Sequence, residues 1–153
     1  MDSLELPALL ATEVSIIFAY AFSRTLATIL LSPDFPGWLA PVQTEPGRLM
    51  GTLTFAGVCS LLWVSNGILL RAFCVDENRS ATVAAKAAAT TWAASCCSFA
   101  LGNTALGSLC VELLCSDALT APSLQLEDLE AIFGLGLGLT AWRYSYGSMT
   151  WRM

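Results

Sequence analysis

The residues best placed to do chemistry in this chain are a carboxylate and a guanidinium within one apolar stretch. Glu13 and Arg24 are the two charged residues of the apolar segment from Pro7 to Leu31. Eleven residues make close to three helical turns, so the two side chains share a face and lie about 16 Å apart along the axis. They cannot pair with each other at that distance. Each must therefore meet another helix, a backbone carbonyl, a cofactor or water, because an unpaired charge within a membrane costs about 3 kcal/mol or more.

Two uses fit this pair of charges. One is functional: a proton or ion relay, or, for Glu13, a ligand to a bound pigment. The other is structural: a contact between helices, with Arg24 extending its side chain toward the nearer membrane surface. The sequence favours the structural use, and it assigns Arg24 to helix packing.

Two asparagines are the other polar side chains deep in apolar segments. Asn66 and Asn103 are suited to hydrogen bonds between helices, worth about 1 kcal/mol or less in a membrane. An asparagine oxygen is also a suitable ligand for magnesium, a hard cation that prefers oxygen. In a chain without histidine, a directly bound magnesium would need oxygen from Asn66, Asn103, Glu13, a backbone carbonyl or water. The asparagines come first, because a neutral ligand avoids the cost of burying a charge.

Glycines in the last apolar stretch form a G-x-x-x-G pattern. Gly134 and Gly138 lie one turn apart on one helical face. Such a face lets another helix, or a flat macrocycle, approach within contact distance. We therefore expect the Gly134/Gly138 face to be a packing surface.

Composition sets the environment that these residues share. Hydrophobic residues make up 56% of the chain and charged residues 12%, about half the charged share of soluble domains. The net charge of −5, without a basic run, argues against a nucleic-acid partner. The absence of histidine excludes histidine-ligated haem or chlorophyll and histidine-based hydrolysis. No nucleophile elbow and no zinc spacing of cysteines is present, so we do not expect an enzyme.

Four apolar stretches are each long enough to cross a bilayer, which needs about 20 residues of helix. They predict an all-α fold, an integral membrane four-helix bundle, with residues 1–153 forming a single transmembrane domain. We expect helices over residues 7–31, 49–73, 82–106 with an extension to 115, and 124–146. The acidic N-terminus resembles neither a secretory signal nor a transit peptide.

The distribution of bases predicts the orientation of the bundle. With four spans, both termini and the loop between the second and third helices lie on one side. That side carries most of the basic residues: Arg71, Arg79, Lys86, Arg143 and Arg152. By the positive-inside rule, both termini face the cytoplasm or the equivalent stroma of an organelle.

Several short motifs, taken in order, are similar to those of a known family. They are Glu13 with Phe18-Ala19 and Arg24, the segment from Thr52 to Trp63, Trp92, and Trp142-Arg143-Tyr144. The chain thereby resembles a family of small four-helix membrane proteins of unknown function found in bacteria and in plastids. The basic residue usual near the end of the third helix is replaced around Gly102-Asn103, and the usual histidine after the first helix is missing. The resemblance implies a four-helix fold and a plastid setting, and it transfers no catalytic residue.

These observations lead to one functional expectation and one alternative. We expect a non-catalytic accessory subunit of a larger membrane complex, and the complex we expect is a photosynthetic supercomplex of the chloroplast thylakoid. Its partners would be membrane lipid, other integral subunits and the pigments chlorophyll and carotenoid. Apolar side chains would make most pigment contacts: Trp63, Trp92, Phe55 and Phe99. The alternative is a small oligomeric transporter or channel that uses Glu13 or Arg24.

Overall fold

The fold is an up-and-down bundle of four helices in the residues that the structure describes. The computed structural model describes the backbone of residues 7–31, 46–114 and 126–150, and the side chains of residues 7–31, 50–102 and 130–149. The helices are α1 (Pro7–Leu30), α2 (Pro46–Leu69), α3 (Ala81–Leu114) and α4 (Leu126–Thr150), with a short 3₁₀ turn over Asp76–Asn78. Those ranges contain no strand, so the all-α prediction is confirmed there.

The helices form a ring in which each packs against its neighbours along the chain, and α4 closes the ring against α1. Helices α1 and α2, α3 and α4, and α4 and α1 run antiparallel. At one end Trp63 of α2 lies beside Glu13 of α1, and at the other end the hydroxyls of Thr25 and Thr52 are 2.7 Å apart. The N-terminus of α1, the C-terminus of α4 and the α2–α3 connector therefore share one end of the bundle. We call it the connector end.

The connector begins with a sharp stop to α2. Arg71 adopts a left-handed backbone conformation, with φ of 56°. The amide of Arg71 then donates to the carbonyl of Ile68 (3.1 Å), and the amide of Ala72 donates to that of Gly67 (2.8 Å). This is a Schellman motif, which satisfies the last carbonyls of a helix and reverses the chain. It ends α2 at Leu69, four residues before the predicted end, and turns the next residues into the core.

The other helix ends differ modestly from prediction. Helix α2 starts at Pro46, three residues early, because proline is well suited to the first turn of a helix. Helix α3 is one continuous element of 34 residues, so the predicted extension continues the helix. Helix α4 runs four residues past its predicted end, to Thr150.

Several polar side chains are buried inside the bundle, and many large apolar side chains lie on its surface. Buried positions include Glu13, Thr91, Ser95 and Arg143, while every helix carries a leucine more than half exposed: Leu26, Leu61, Leu101 and Leu137. Most described hydroxyls donate to a carbonyl of the preceding turn of their own helix. Hydroxyls bonded in this way need no water.

Candidate functional site

The centre of the site is a fully buried ion pair between the first and last helices. The guanidinium of Arg143 in α4 binds the carboxylate of Glu13 in α1 through two nitrogens. Nε donates to Oε1, and Nη2 donates to Oε2 at 2.9 Å. Both side chains have no exposed surface. A two-point Arg–carboxylate contact fixes the orientation of both groups as well as their separation.

Residues of α2 and of the connector complete the pair. The indole Nε1 of Trp63 donates to Oε2 of Glu13 at 2.8 Å. The remaining amine of Arg143, Nη1, donates to the carbonyl of Ala72 at 2.6 Å. The guanidinium carbon lies 5.7 Å from the ring centre of Trp63 and 5.0 Å from that of Phe73, within the range of cation–π attraction. We call these five residues the Glu13–Arg143 cluster.

The local structure of the connector places the Ala72 carbonyl and the Phe73 ring beside the Arg143 guanidinium. After the Schellman turn, the buried side chain of Asn78 donates to the carbonyls of Ala72 (3.0 Å) and Cys74 (2.8 Å). The Ala72 carbonyl thereby accepts from both Asn78 and Arg143. The ring of Phe73 covers Gly67, where an added Cβ would lie 2.8 Å from the ring Cζ. A larger residue at 67 would displace the ring from the guanidinium.

The cluster lies near the connector end of the bundle. Glu13 is six residues from the start of α1 and Arg143 is seven from the end of α4, which places both about 10 Å inside the bundle. Glu13 and Arg143 each bind the opposite charge and one neutral hydrogen-bond partner, so neither group requires water. The cluster thus joins α1, α2, α4 and the connector. It exposes neither Glu13 nor Arg143 to a substrate.

A cavity adjoins the cluster between α2, α3 and α4. Trp92 of α3 lies between the two features, with its ring centre 6.1 Å from that of Trp63. The cavity has a volume of about 560 Å³. Its wall is mainly apolar and includes Phe55 and Cys59 of α2, Trp92, Ser95, Cys96 and Phe99 of α3, and Phe133, Gly136 and Thr140 of α4. Three of the four side chains expected to touch pigments, Phe55, Trp92 and Phe99, converge on it.

The fourth expected pigment contact is elsewhere. Trp63 has no exposed surface and donates to Glu13, so it faces the cluster. Its expected role as a pigment contact stays a prediction, and in this structure its indole N–H satisfies the buried carboxylate.

Two of the three predicted oxygen ligands, Glu13 and Asn66, form hydrogen bonds within the chain. Both oxygens of Glu13 accept hydrogen bonds within the cluster. Asn66 donates to the Leu62 carbonyl (2.8 Å), and its oxygen accepts from Ser98 of α3 (3.3 Å), so it joins two helices. The side chain of Asn103 lies outside the described residues. Among the described residues no group of three acidic, cysteine or histidine side chains could hold a metal. Magnesium ligation by Asn66, Asn103 or Glu13 stays a prediction.

Arg24 is half-buried in α1. It lies about 16 Å along the axis from Glu13, as its spacing requires. The Glu13 carboxylate binds Arg143 of another helix, which confirms the expectation that this charge is paired.

One glycine of the predicted pair packs against another helix of the chain. An added Cβ at Gly134 would overlap the side chain of Tyr20 of α1, whereas no atom of the described residues lies within 4 Å of one at Gly138. Packing at Gly138 therefore stays a prediction. Further close approaches on α4 are at Gly136, under the Trp92 ring, and at Gly147. There an added Cβ would lie 3.0 Å from the backbone at the start of α3.

Arg143 is the residue that sequence reasoning misplaced. It was counted among the bases at the membrane surface, but it is buried and paired, so it does not support the predicted orientation. The depth of Arg143 in its helix is the signal that could have identified it as the partner of Glu13. Glu13 and Arg143 lie at similar distances from helix ends that an up-and-down bundle places on the same side.

Comparison with protein-family models, with curated proteins and with solved structures finds no match to this chain.

Proposed function

We propose that this chain is a membrane-spanning, non-catalytic accessory subunit of a larger membrane complex. The observation that carries the proposal is the placement of charge: a closed ion pair inside the bundle and an uncharged apolar surface around its middle.

The surface between the two ends of the bundle supports the membrane part of the proposal. Among described side chains, the exposed charged residues lie at the ends: Arg71, Asp76, Glu77, Arg79, Lys86 and, at the opposite end, Glu130. Residues 50–69 of α2 carry no charge over about 30 Å, which matches the hydrocarbon thickness of a bilayer.

In the part of the chain that the structure describes, two of the four helices contain spans long and apolar enough to cross a membrane: Pro7–Leu30 with mean hydropathy 1.3 and Met50–Leu69 with 1.5. The core helix of a soluble protein can have the same composition, but it would be mostly buried. Here only 17% and 33% of these two spans are buried. The apolar surface that remains needs lipid or another protein to cover it.

The closed cluster supports the non-catalytic part of the proposal. A proton relay or ion pathway needs a charged group that meets water, and intramembrane charges in transporters generally line such a pathway. Glu13 has no exposed surface and is bound by Arg143 and Trp63. The geometry therefore favours a fixed structural link over the transporter that the sequence left as an alternative.

The photosynthetic setting is a proposal based on the family resemblance. In that setting the chain would lie in the thylakoid membrane with both termini in the stroma. The convergence of Phe55, Trp92 and Phe99 on one cavity supports a role in contacting an apolar cofactor.

Purification of the chain from its native membrane in mild detergent tests the proposal. We expect it to elute in a particle much larger than 16.3 kDa and to contain other integral subunits. Recovery of an isolated single chain under conditions that preserve known complexes would contradict an accessory role. Proteoliposomes give the second arm: proton or ion flux through the folded wild-type chain, retained by Glu130→Gln and lost in a Glu13→Gln variant that circular dichroism shows to be folded, would establish the transporter alternative.

A further inference from the structure

The cavity between α2, α3 and α4 has properties of a ligand site. We infer that it binds a rigid, uncharged, conjugated molecule, of which an extended polyene is the form that fits best. This inference rests on the proposed membrane location, and it names the ligand class that the subunit would carry.

The shape of the cavity indicates an elongated ligand. Its wall extends along α3 from Ala89 to Ala100, or about 16 Å, whereas a sphere of 560 Å³ would be only about 10 Å across. Ligand pockets for small molecules typically enclose about 300–1,000 Å³. The cavity therefore suits a slender molecule lying parallel to the helices.

The chemistry of the wall indicates an uncharged ligand. Among the side chains that the structure describes, none that lines the cavity is charged. Its two hydroxyls already donate to backbone carbonyls: Ser95 to Leu62 (3.2 Å) and Thr91 (2.8 Å), and Thr140 to Gly136 (2.8 Å). A charge placed there would lose its solvation without compensation.

The membrane setting selects a conjugated ligand over a saturated lipid chain. Lipid tails are as apolar as leucine, so an acyl chain gains no hydrophobic free energy by leaving the bilayer for this cavity. Selectivity must come from contacts that lipid does not offer. The four aromatic rings of Phe55, Trp92, Phe99 and Phe133 provide these contacts, since ring faces attract other π systems. A rigid ligand also loses less conformational entropy on binding than a flexible chain.

The absence of a side chain at Gly136 leaves room for the Trp92 ring in the cavity wall. A Cβ at Gly136 would lie 2.8 Å from Cε2 of Trp92, so any larger residue would push the indole from its position. The same ring packs on Trp63 of the Glu13–Arg143 cluster. The cluster thereby holds the aromatic wall of the cavity in place.

The test uses the full chain in lipid nanodiscs and all-trans-retinol, an uncharged polyene that accepts energy from tryptophan. We expect energy transfer from the protein to saturate near one retinol per chain. Octadecanol, a saturated chain with the same head group, should not displace the probe at equal concentration. Linear, unsaturable transfer, or equal displacement by octadecanol, would overturn the inference.

Matched variants locate the site. Ala93→Phe places a ring at the cavity wall and should weaken retinol binding at least tenfold, whereas Ala141→Phe, exposed on α4 away from the cavity, should change it less than twofold. If Ala93→Phe does not fold, Phe133→Ala serves instead. Phe133 is 69% exposed, so its loss costs little stability and should weaken binding severalfold. Equal binding by all three variants would overturn the inference, while recovery of the large native particle would still support the accessory role.

Discussion

Removing the charge of Glu13 while keeping its shape measures what the buried ion pair contributes. In Glu13→Gln the side chain still accepts a hydrogen bond from Trp63, but the Arg143 guanidinium loses its counter-charge at a site with no exposed surface. Breaking a buried pair on one side costs about 3–5 kcal/mol. The unfolded population should therefore rise by about two to three and a half orders of magnitude.

The double variant Glu13→Gln/Arg143→Met separates the cost of an orphaned charge from the net value of the pair. With both charges gone, the Ala72 carbonyl still has its hydrogen bond from Asn78. We expect the double variant to be about 2 kcal/mol more stable than Glu13→Gln alone. Reversible unfolding in mixed micelles, followed by far-ultraviolet circular dichroism, measures both. Glu130→Gln removes an exposed carboxylate and should change stability by less than about 0.5 kcal/mol.

Exchanging the two charges distinguishes the full cluster from a simple pair. In Glu13→Arg/Arg143→Glu, a carboxylate would face the Ala72 carbonyl and the electron-rich faces of Trp63 and Phe73. We expect this exchanged variant to be no more stable than Glu13→Arg alone or Arg143→Glu alone. Restoration to within about 1 kcal/mol of wild type would show that Coulomb attraction alone accounts for the pair. A loss below about 1 kcal/mol for Glu13→Gln would refute the closed cluster itself.

Three further predictions concern the elements around the cluster. Gly67→Ala should cost about 1–3 kcal/mol because the new methyl overlaps the aromatic ring above it, whereas Gly57→Ala, with open space, should be neutral or stabilising in the same unfolding assay. Gly147→Ala should destabilise the α3–α4 contact by about 1 kcal/mol or more, and Gly138→Ala should not destabilise the isolated chain. If Gly138→Ala instead reduces recovery of the native particle, that face packs on a partner. Asn78→Ala should cost about 1–3 kcal/mol, because two buried carbonyls each lose a donor, and faster proteolysis within the connector would report the loss.

The helices were predictable because their signals are local. Apolar runs of membrane length and breaks at proline, glycine and polar turns gave four helices with bounds close to those observed. The end of α2 was not predictable, because it depends on an arginine in a left-handed conformation that is more typical of glycine. No composition signal marks such a residue.

The site was predictable only in part. The cost of an unpaired charge required a partner for Glu13, but it could not choose between a helix, a cofactor and water. Arg143 lies 130 residues away, in a motif whose aromatic neighbours suggested the membrane surface. To identify Arg143 as the partner of Glu13, one must know how deep both residues lie in an antiparallel pair of helices. The same limit applies to α4, where the G-x-x-x-G pattern indicated Gly134, which contacts α1, and Gly138, but not Gly136 and Gly147, which also make close contacts.

Two-sided labelling of single cysteines tests the membrane-spanning claim most directly. In a cysteine-free background, Glu77→Cys at the connector end and Glu130→Cys at the start of α4 are exposed, and Leu137→Cys lies on the apolar surface between the ends. In sealed vesicles, a membrane-impermeant maleimide should label positions 77 and 130 from opposite sides and should not label position 137. Labelling of 77 and 130 from the same side, or rapid labelling of 137, would contradict a bundle that spans the membrane.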